Sequence, residues 1–63
     1  MSEIGKILRD LRESAGLSRS KLGAASGVNW EMIRRYEVGE SAPWKPLEKT
    51  LDALGYELEV VSK

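Results

Sequence analysis

The sequence predicts an all-α domain of four short, compactly packed helices, followed by a single C-terminal β-strand. Apolar residues recur at helical spacing in four segments, and a glycine follows each segment, at positions 16, 27, 39 and 55. After Gly55 apolar and polar residues alternate, which is the period of a strand. A chain of 63 residues is one small domain, and without Cys or His it has neither disulfides nor the commonest metal ligands.

The first two helices are predicted at residues 3–15 and 19–26. Helix 1 has an apolar stripe at helical spacing, formed by Ile4, Ile7, Leu8 and Leu11. Ser18 is the expected N-cap of helix 2, because its hydroxyl can accept a hydrogen bond from an N–H of the first turn. Leu22 and Ala25 are the residues of helix 2 that we expect to point into the core.

Helix 3 is predicted at residues 30–37, with Asn29 as its N-cap and Val28 inserted into the core. Residues 40–45 are predicted to form a loop. Helix 4 is then expected at residues 46–54, because a proline in the first turn loses no intrahelical hydrogen bond.

Residues 56–61 are predicted to form the strand, with Tyr56, Leu58 and Val60 on one face. A lone strand has unpaired N–H and C=O groups, and no other segment predicts a strand that could pair with it. We therefore expect it to pair with the same strand of a second copy, which would make the protein a homodimer. The alternative is a frayed tail on a monomer.

The two central helices, at residues 19–37, have the spacing of a helix-turn-helix, whose second helix enters the major groove of DNA. The formal net charge is zero, but residues 1–36 carry seven basic and four acidic side chains. Residues 37–63 carry three basic and six acidic side chains. This asymmetry favours a DNA-facing first part and a partner-facing or dimerising second part.

The joint spacing of several motifs resembles the XRE family of DNA-binding regulators, the group of the lambdoid phage repressors and Cro. The motifs are Leu8-x-x-Leu11-Arg12, Gly16-Leu17-Ser18, Leu22 with Gly27-Val28, Ile33-x-x-Tyr36-Glu37-x-Gly39, Pro43 and Leu51-x-x-Leu54-Gly55. The resemblance implies a lambda-repressor-like fold, with residues 1–63 as a single helix-turn-helix domain. Residues 54–61 look like the dimerisation strand of HipB-type antitoxins, which pair with HipA-like kinase toxins.

The chain departs from the family pattern at four positions. The family often has Gln at the start of both helix 2 and helix 3, where this chain has Arg19 and Trp30. The loop after helix 3 is frequently basic in the family, but here it carries Glu40 and Ser41.

In the resembling repressors, three positions of helix 3 contact base edges, and these are Trp30, Glu31 and Arg35 here. Arg35 can make a bidentate contact to guanine, and Glu31 can accept a hydrogen bond from cytosine. The alternative for Glu31 and Arg35 is an exposed ion pair one helical turn apart. The alternative for Trp30 is a protein interface, and the sequence does not decide between the two.

Five further residues are expected to contact the phosphate backbone, at the start of helix 2 or around helix 3: Ser18, Arg19, Lys21, Asn29 and Arg34. The alternative for Arg19 is a solvated side chain. The resemblance implies that Arg12 and Glu37 form a semi-buried ion pair, which excludes them from the DNA-binding site. Trp44 is expected in the core, with a partner surface as the alternative.

The function that we expect is a sequence-specific DNA-binding regulator, a repressor that binds a pseudo-palindromic operator as a homodimer. The alternative is an antitoxin that neutralises a toxin protein and autoregulates its operon. An interaction module that does not bind DNA is a further alternative. Without His or Cys we expect no enzyme, cofactor or metal site. We expect a cytoplasmic protein without membrane contact, since no apolar run approaches the roughly 20 residues of a span.

Overall fold

The computed structural model describes residues 3–57, and its helices follow the predicted order. They are α1 (Glu3–Ser14), α2 (Arg19–Ser26), α3 (Trp30–Val38) and α4 (Trp44–Ala53). All secondary structure in this part of the chain is helical, which confirms the predicted class for residues 3–57. None of the helices described is long and apolar enough to cross a membrane.

The two central helices begin at the predicted residues, and α2 also ends where predicted. The Ser18 hydroxyl accepts a hydrogen bond from the Lys21 N–H at 3.1 Å, and the Asn29 side chain accepts one from the Glu31 N–H at 2.8 Å. The turn between them passes through Gly27, whose φ of 74° is the left-handed conformation that favours glycine. Local chemistry therefore determines where α3 starts relative to α2.

The beginning of α4 differs from the prediction by two residues. The helix starts at Trp44 rather than at Pro46, and its N-cap is Pro43, in extended conformation. Pro46 is thus the third helical residue, where its missing N–H still costs no intrahelical hydrogen bond. Smaller differences are that α1 ends at Ser14 and that α3 continues to Val38.

A single apolar core is formed by all four helices and the turn before α3. Its buried residues are Leu8, Leu22, Val28, Ile33, Tyr36, Leu47 and Leu51. Ala25, which was expected in the core, is exposed, so this prediction is wrong, and Ile7 of the apolar stripe is exposed as well. Gly5, Leu8 and Arg12 are the buried residues of α1, and Ile7 lies on another side of that helix. The buried residues of α2 are Leu22 and Gly23, which leaves Ala25 beyond the edge of the inward face.

Two glycines allow the backbones around α3 to approach closely. A Cβ atom on Gly5 would lie 2.2 Å from the Tyr36 carbonyl oxygen, and one on Gly23 would lie 2.7 Å from the Val28 carbonyl oxygen. Because Gly5 has no side chain, α1 can lie directly against the C-terminal turn of α3. In the same way, Gly23 lets α2 lie against the turn before α3. Glycine at these positions therefore fixes how α3 is seated on the domain.

The loop between α3 and α4 is anchored by a tyrosine of the core. The Tyr36 hydroxyl donates a hydrogen bond to the Pro43 carbonyl oxygen. Burial raises the pKa of this hydroxyl, and a hydrogen bond from the Leu47 backbone partly opposes that rise. Within α4, the buried Thr50 hydroxyl donates to the Pro46 carbonyl at 2.8 Å. The polar groups of this region thus find partners inside the protein.

The predicted strand lies almost entirely outside the described residues. Tyr56 and Glu57 are described, and neither belongs to a helix or strand. Leu58 and Val60 lie outside the described part of the chain. Strand formation and pairing across a dimer therefore stay predictions.

Candidate nucleic-acid interface

The outer face of α3 consists of the side chains that the sequence predicts. Ile33, Tyr36 and Glu37 are buried, Met32 is partly buried against the core, and Trp30 and Arg35 are exposed. Trp30 is 50% exposed, and Arg35 is exposed near the other end of the helix. A large aromatic and a cationic side chain thus stand on one rigidly held helix.

Three further polar side chains of the predicted site lie at the starts of α2 and α3. Ser18, Lys21 and Asn29 are all exposed. The Ser18 hydroxyl and the Asn29 side-chain oxygen act as cap acceptors, but each of these side chains also carries N–H or O–H donors. Their capping role is therefore compatible with donation to an anion.

Arg34 is held by two carboxylates, one on each side. Its Nε donates to Glu31 Oε1 at 2.5 Å, while Nη1 and Nη2 lie 3.4 and 3.5 Å from the two carboxylate oxygens of Glu40. The pKa of Arg34 is raised above its usual value by the hydrogen bonds to Glu31 and Glu40. The guanidinium therefore stays charged.

The alternative interpretation of Glu31 and Arg35, an ion pair between them, is wrong, because Glu31 pairs with Arg34, three residues away. Arg35 instead lies at the C-terminal end of α3, with its Nε 4.0 Å from Glu40 Oε1. At that distance the interaction is a loose ion pair rather than a hydrogen bond. Arg35 is the less constrained of the two arginines.

A buried carboxylate links the first three helices. The Glu37 side chain is 1% exposed and accepts two hydrogen bonds from Arg12, at 2.7 and 3.1 Å. Arg12 also donates to the Leu17 carbonyl at 2.8 Å. The hydrogen bond to Glu37 raises the pKa of Arg12, although burial acts in the opposite direction. This confirms the pair implied by the resemblance.

The same carboxylate has a second partner that the sequence analysis missed. The Nη2 and Nε atoms of Arg19 lie 3.1 and 3.2 Å from Glu37 Oε1. The Arg19 side chain is 36% exposed, so it is neither fully solvated nor sequestered. A signal was present, because a buried carboxylate has more acceptor sites than one guanidinium fills. Arg19 therefore has a structural role whether or not it meets phosphate.

The expectation that Trp44 belongs to the core is wrong. Its side chain is 52% exposed, and its indole Nε1 donates to Glu48 Oε1 at 2.7 Å, one turn further along α4. Because α4 begins at Trp44, this residue is on the first turn of the helix rather than in a loop folded over the core. The ring stays at the surface.

The arrangement of α2, turn and α3 agrees with a comparison to known families. A family model described as a helix-turn-helix domain matches residues 3–62. The chain belongs to the helix-turn-helix domain family. This is consistent with the resemblance to XRE-like DNA-binding proteins. No curated protein matches the chain.

In this helix-turn-helix domain, α2 and α3 are the two helices of the motif. Helix-turn-helix domains bind DNA through the second helix of the motif, and they are typically not enzymes. Family membership therefore supports DNA as the ligand class.

Proposed function

We propose that the protein is a sequence-specific transcriptional regulator that inserts α3 into the major groove of DNA and represses transcription. The observation that carries this proposal is the division of α3 into two faces. One face is fixed in the core by Ile33 and Tyr36, and the other exposes Trp30 and Arg35. A rigid helix that presents a few long side chains is what base recognition requires.

Arg35 is the proposed reader of a base edge. Its ion pair with Glu40 is long and involves Nε, so its two terminal nitrogens are suited to a bidentate contact with guanine O6 and N7. Glu31 already pairs with Arg34, so its carboxylate would have to be shared between Arg34 and cytosine to accept a hydrogen bond from the base. Trp30 would pack against a thymine methyl group or the sugar backbone.

Ser18, Lys21 and Asn29 are proposed to contact phosphate, together with Arg34 and the exposed part of Arg19. Phosphate contacts set the position of a protein on the duplex without reading its sequence. Lys21 is the simplest of these residues, because its side chain is exposed and only its backbone N–H is used by the cap.

The functional unit is proposed to be a homodimer on a pseudo-palindromic operator. Two copies related by a two-fold axis would place their α3 helices in successive major grooves, about 34–36 Å apart. Occupation of a promoter by such a dimer would block transcription.

The test begins with selection of binding sites from random duplexes by the full-length protein at stated salt. Arg35→Ala is then compared with Lys21→Ala on the selected and on random duplexes. Arg35→Ala should lose about 1–3 kcal/mol per half-site and relax preference at one base pair. Lys21→Ala should weaken binding to all sequences alike and reduce the salt slope by about one per copy of the chain.

Two results would contradict the proposal in different ways. If no sequence is enriched and the protein binds no duplex, it is not a DNA-binding regulator. If both variants lose specificity equally, the protein binds DNA but the roles assigned to α3 and to α2 are wrong.

The exposure of Trp44 favours an antitoxin as a second candidate function. Its ring borders a groove of about 300 Å³ lined in part by Ile4, Ala42 and Leu47, which offers a protein partner an aromatic anchor. An antitoxin with this surface should relieve growth inhibition by a toxin encoded in an adjacent reading frame. Trp44→Ala should abolish that relief and leave DNA affinity unchanged. Full relief by Trp44→Ala would exclude this surface.

A further inference from the structure

We infer that Glu40 is an intramolecular competitor of DNA phosphate for Arg34, and that it lowers the affinity of the protein for all duplexes. The inference rests on the proposed DNA binding and adds to it a residue that opposes binding. α3 ends at Val38, and Glu40 is the second residue after it, with Gly39 between them.

The geometry of the pair resembles that of an arginine on a phosphate. The two terminal nitrogens of Arg34 face the two carboxylate oxygens of Glu40 side by side, at 3.4 and 3.5 Å. Arginine makes the same parallel, two-pronged contact with phosphate oxygens. Glu40 therefore occupies the position that a phosphate would take on this guanidinium.

The ion pair between Arg34 and Glu40 is weak enough for a phosphate to replace Glu40. Both distances are at the long limit for a hydrogen bond, and the Arg34 and Glu40 side chains are 32% and 52% exposed. Exposed ion pairs of this kind contribute little to stability. By contrast, Glu31 holds Arg34 Nε at 2.5 Å, so Arg34 would remain anchored on α3 when Glu40 is displaced.

These ion pairs involve equal numbers of acidic and basic side chains. Glu31 and Glu40 balance Arg34 and Arg35, so the four charged side chains at this end of the motif sum to zero. Attraction to phosphate dominates sequence-independent binding to DNA. A neutral surface therefore limits such binding, and it leaves base contacts as the main source of affinity on this helix.

The test compares Glu40→Gln with wild type on one random duplex and on the duplex selected with wild type, at about 50 and 200 mM salt. Glutamine keeps the shape of the side chain and removes its charge. Affinity should rise for both duplexes. The gain should be larger at the lower salt concentration by up to about 3.5-fold per copy of the chain, since one net phosphate contact contributes about −0.9 to the salt slope.

Two further variants isolate the mechanism. Glu48→Gln makes the same change of charge on α4, where the carboxylate pairs with Trp44, and it should leave DNA affinity unchanged. Arg34→Gln should remove the gain caused by Glu40→Gln, because the competitor then has no guanidinium to occupy. The double variant Arg34→Gln/Glu40→Gln measures this coupling directly.

The outcomes separate this inference from the proposed function. If wild type binds duplexes but Glu40→Gln matches Glu48→Gln or weakens binding, the inference is wrong and the proposed function stands. A gain that persists without Arg34 also overturns it, because Glu40 would then act on DNA without involving that residue. If wild type binds no duplex, both fail.

Discussion

Glu37 is the residue on which the relative placement of three helices depends. It is on α3, and its two partners are on α1 and at the start of α2. A carboxylate with only 1% of its side chain exposed needs partners, because an unpaired buried charge is costly. The pair with Arg12 has the shorter and more buried contacts, so we expect it to be the stronger of the two interactions.

Arg12→Ala should destabilise the fold by about 3 kcal/mol, the lower end of the range for breaking a buried pair, because Arg19 remains beside Glu37. Replacing both Arg12 and Glu37 by Leu should cost less, since no buried carboxylate is left unpaired. Urea unfolding measures both changes. Arg35→Ala is the control, because it removes an exposed arginine and should leave the free energy of unfolding nearly unchanged. Equal midpoints for Arg12→Ala and Arg35→Ala would show that the pair contributes little.

At the scale of the elements, the crossing of α1 over the end of α3 depends on a residue without a side chain. Alanine in place of glycine normally favours a helix by about 1 kcal/mol. At Gly5 the added Cβ would lie 2.2 Å from one carbonyl oxygen and 2.9 Å from another, and both oxygens belong to backbone. Backbone atoms cannot rotate away as a side chain does. The cost of the steric overlap should therefore exceed the gain in helix propensity.

Gly5→Ala should therefore lower the free energy of unfolding, by about 1–3 kcal/mol, as overpacked sites do. It should also change the seating of α3, and so reduce DNA affinity in the fraction that remains folded. Thermal melts followed by titration of the selected duplex would measure both effects. Lys6→Ala, at the neighbouring exposed position, is the matched control. A stabilised Gly5→Ala variant would mean that the two helices can separate at no cost.

The sequence predicted the features that depend on neighbouring residues. The caps at Ser18 and Asn29 and the end of α2 before Gly27 require only a few adjacent positions, and all three are confirmed. The start of α4 was predicted wrongly, because either of two prolines can lie at the beginning of a helix and only tertiary contacts select one. The hydrogen bond from Tyr36 to the Pro43 carbonyl is such a contact.

The site was predictable to a similar extent. Helical spacing identified which side chains of α3 face outward, because that depends on periodicity alone. Spacing could not decide whether Glu31 pairs with Arg34 or Arg35, since both positions are neighbours on a helix surface. The close approach at Gly5 and the second partner of Glu37 depend on residues far apart in sequence, and no local pattern contains them.

At the scale of the whole molecule, the small size of the chain and its exposed apolar residues favour association. A chain of about 60 residues buries only about 60% of its unfolded surface, so its stability is marginal without further contacts. Ile7, Val38 and Tyr56 are large apolar residues that remain exposed within residues 3–57. A second copy that covers part of this surface would add stability, and it would also supply the second α3 that a palindromic operator requires.

Truncation after Glu57 should dissociate the proposed dimer, because it removes most of the predicted strand and keeps the end of α4. The Tyr56 N–H, which donates to the Leu51 carbonyl at 2.9 Å, stays in this variant. The full-length protein should sediment as a dimer at micromolar concentration and melt at a temperature that rises with concentration. The truncated chain should sediment as a monomer, and its affinity for the selected duplex should fall by about 10²–10⁴, since two half-sites no longer bind as one unit.

Truncation after Val61 keeps the strand and is the control. Leu58→Pro should mimic the loss of the strand if the Leu58 N–H faces the partner. A full-length protein that is monomeric yet binds the selected duplex tightly would show that recognition does not depend on dimerisation.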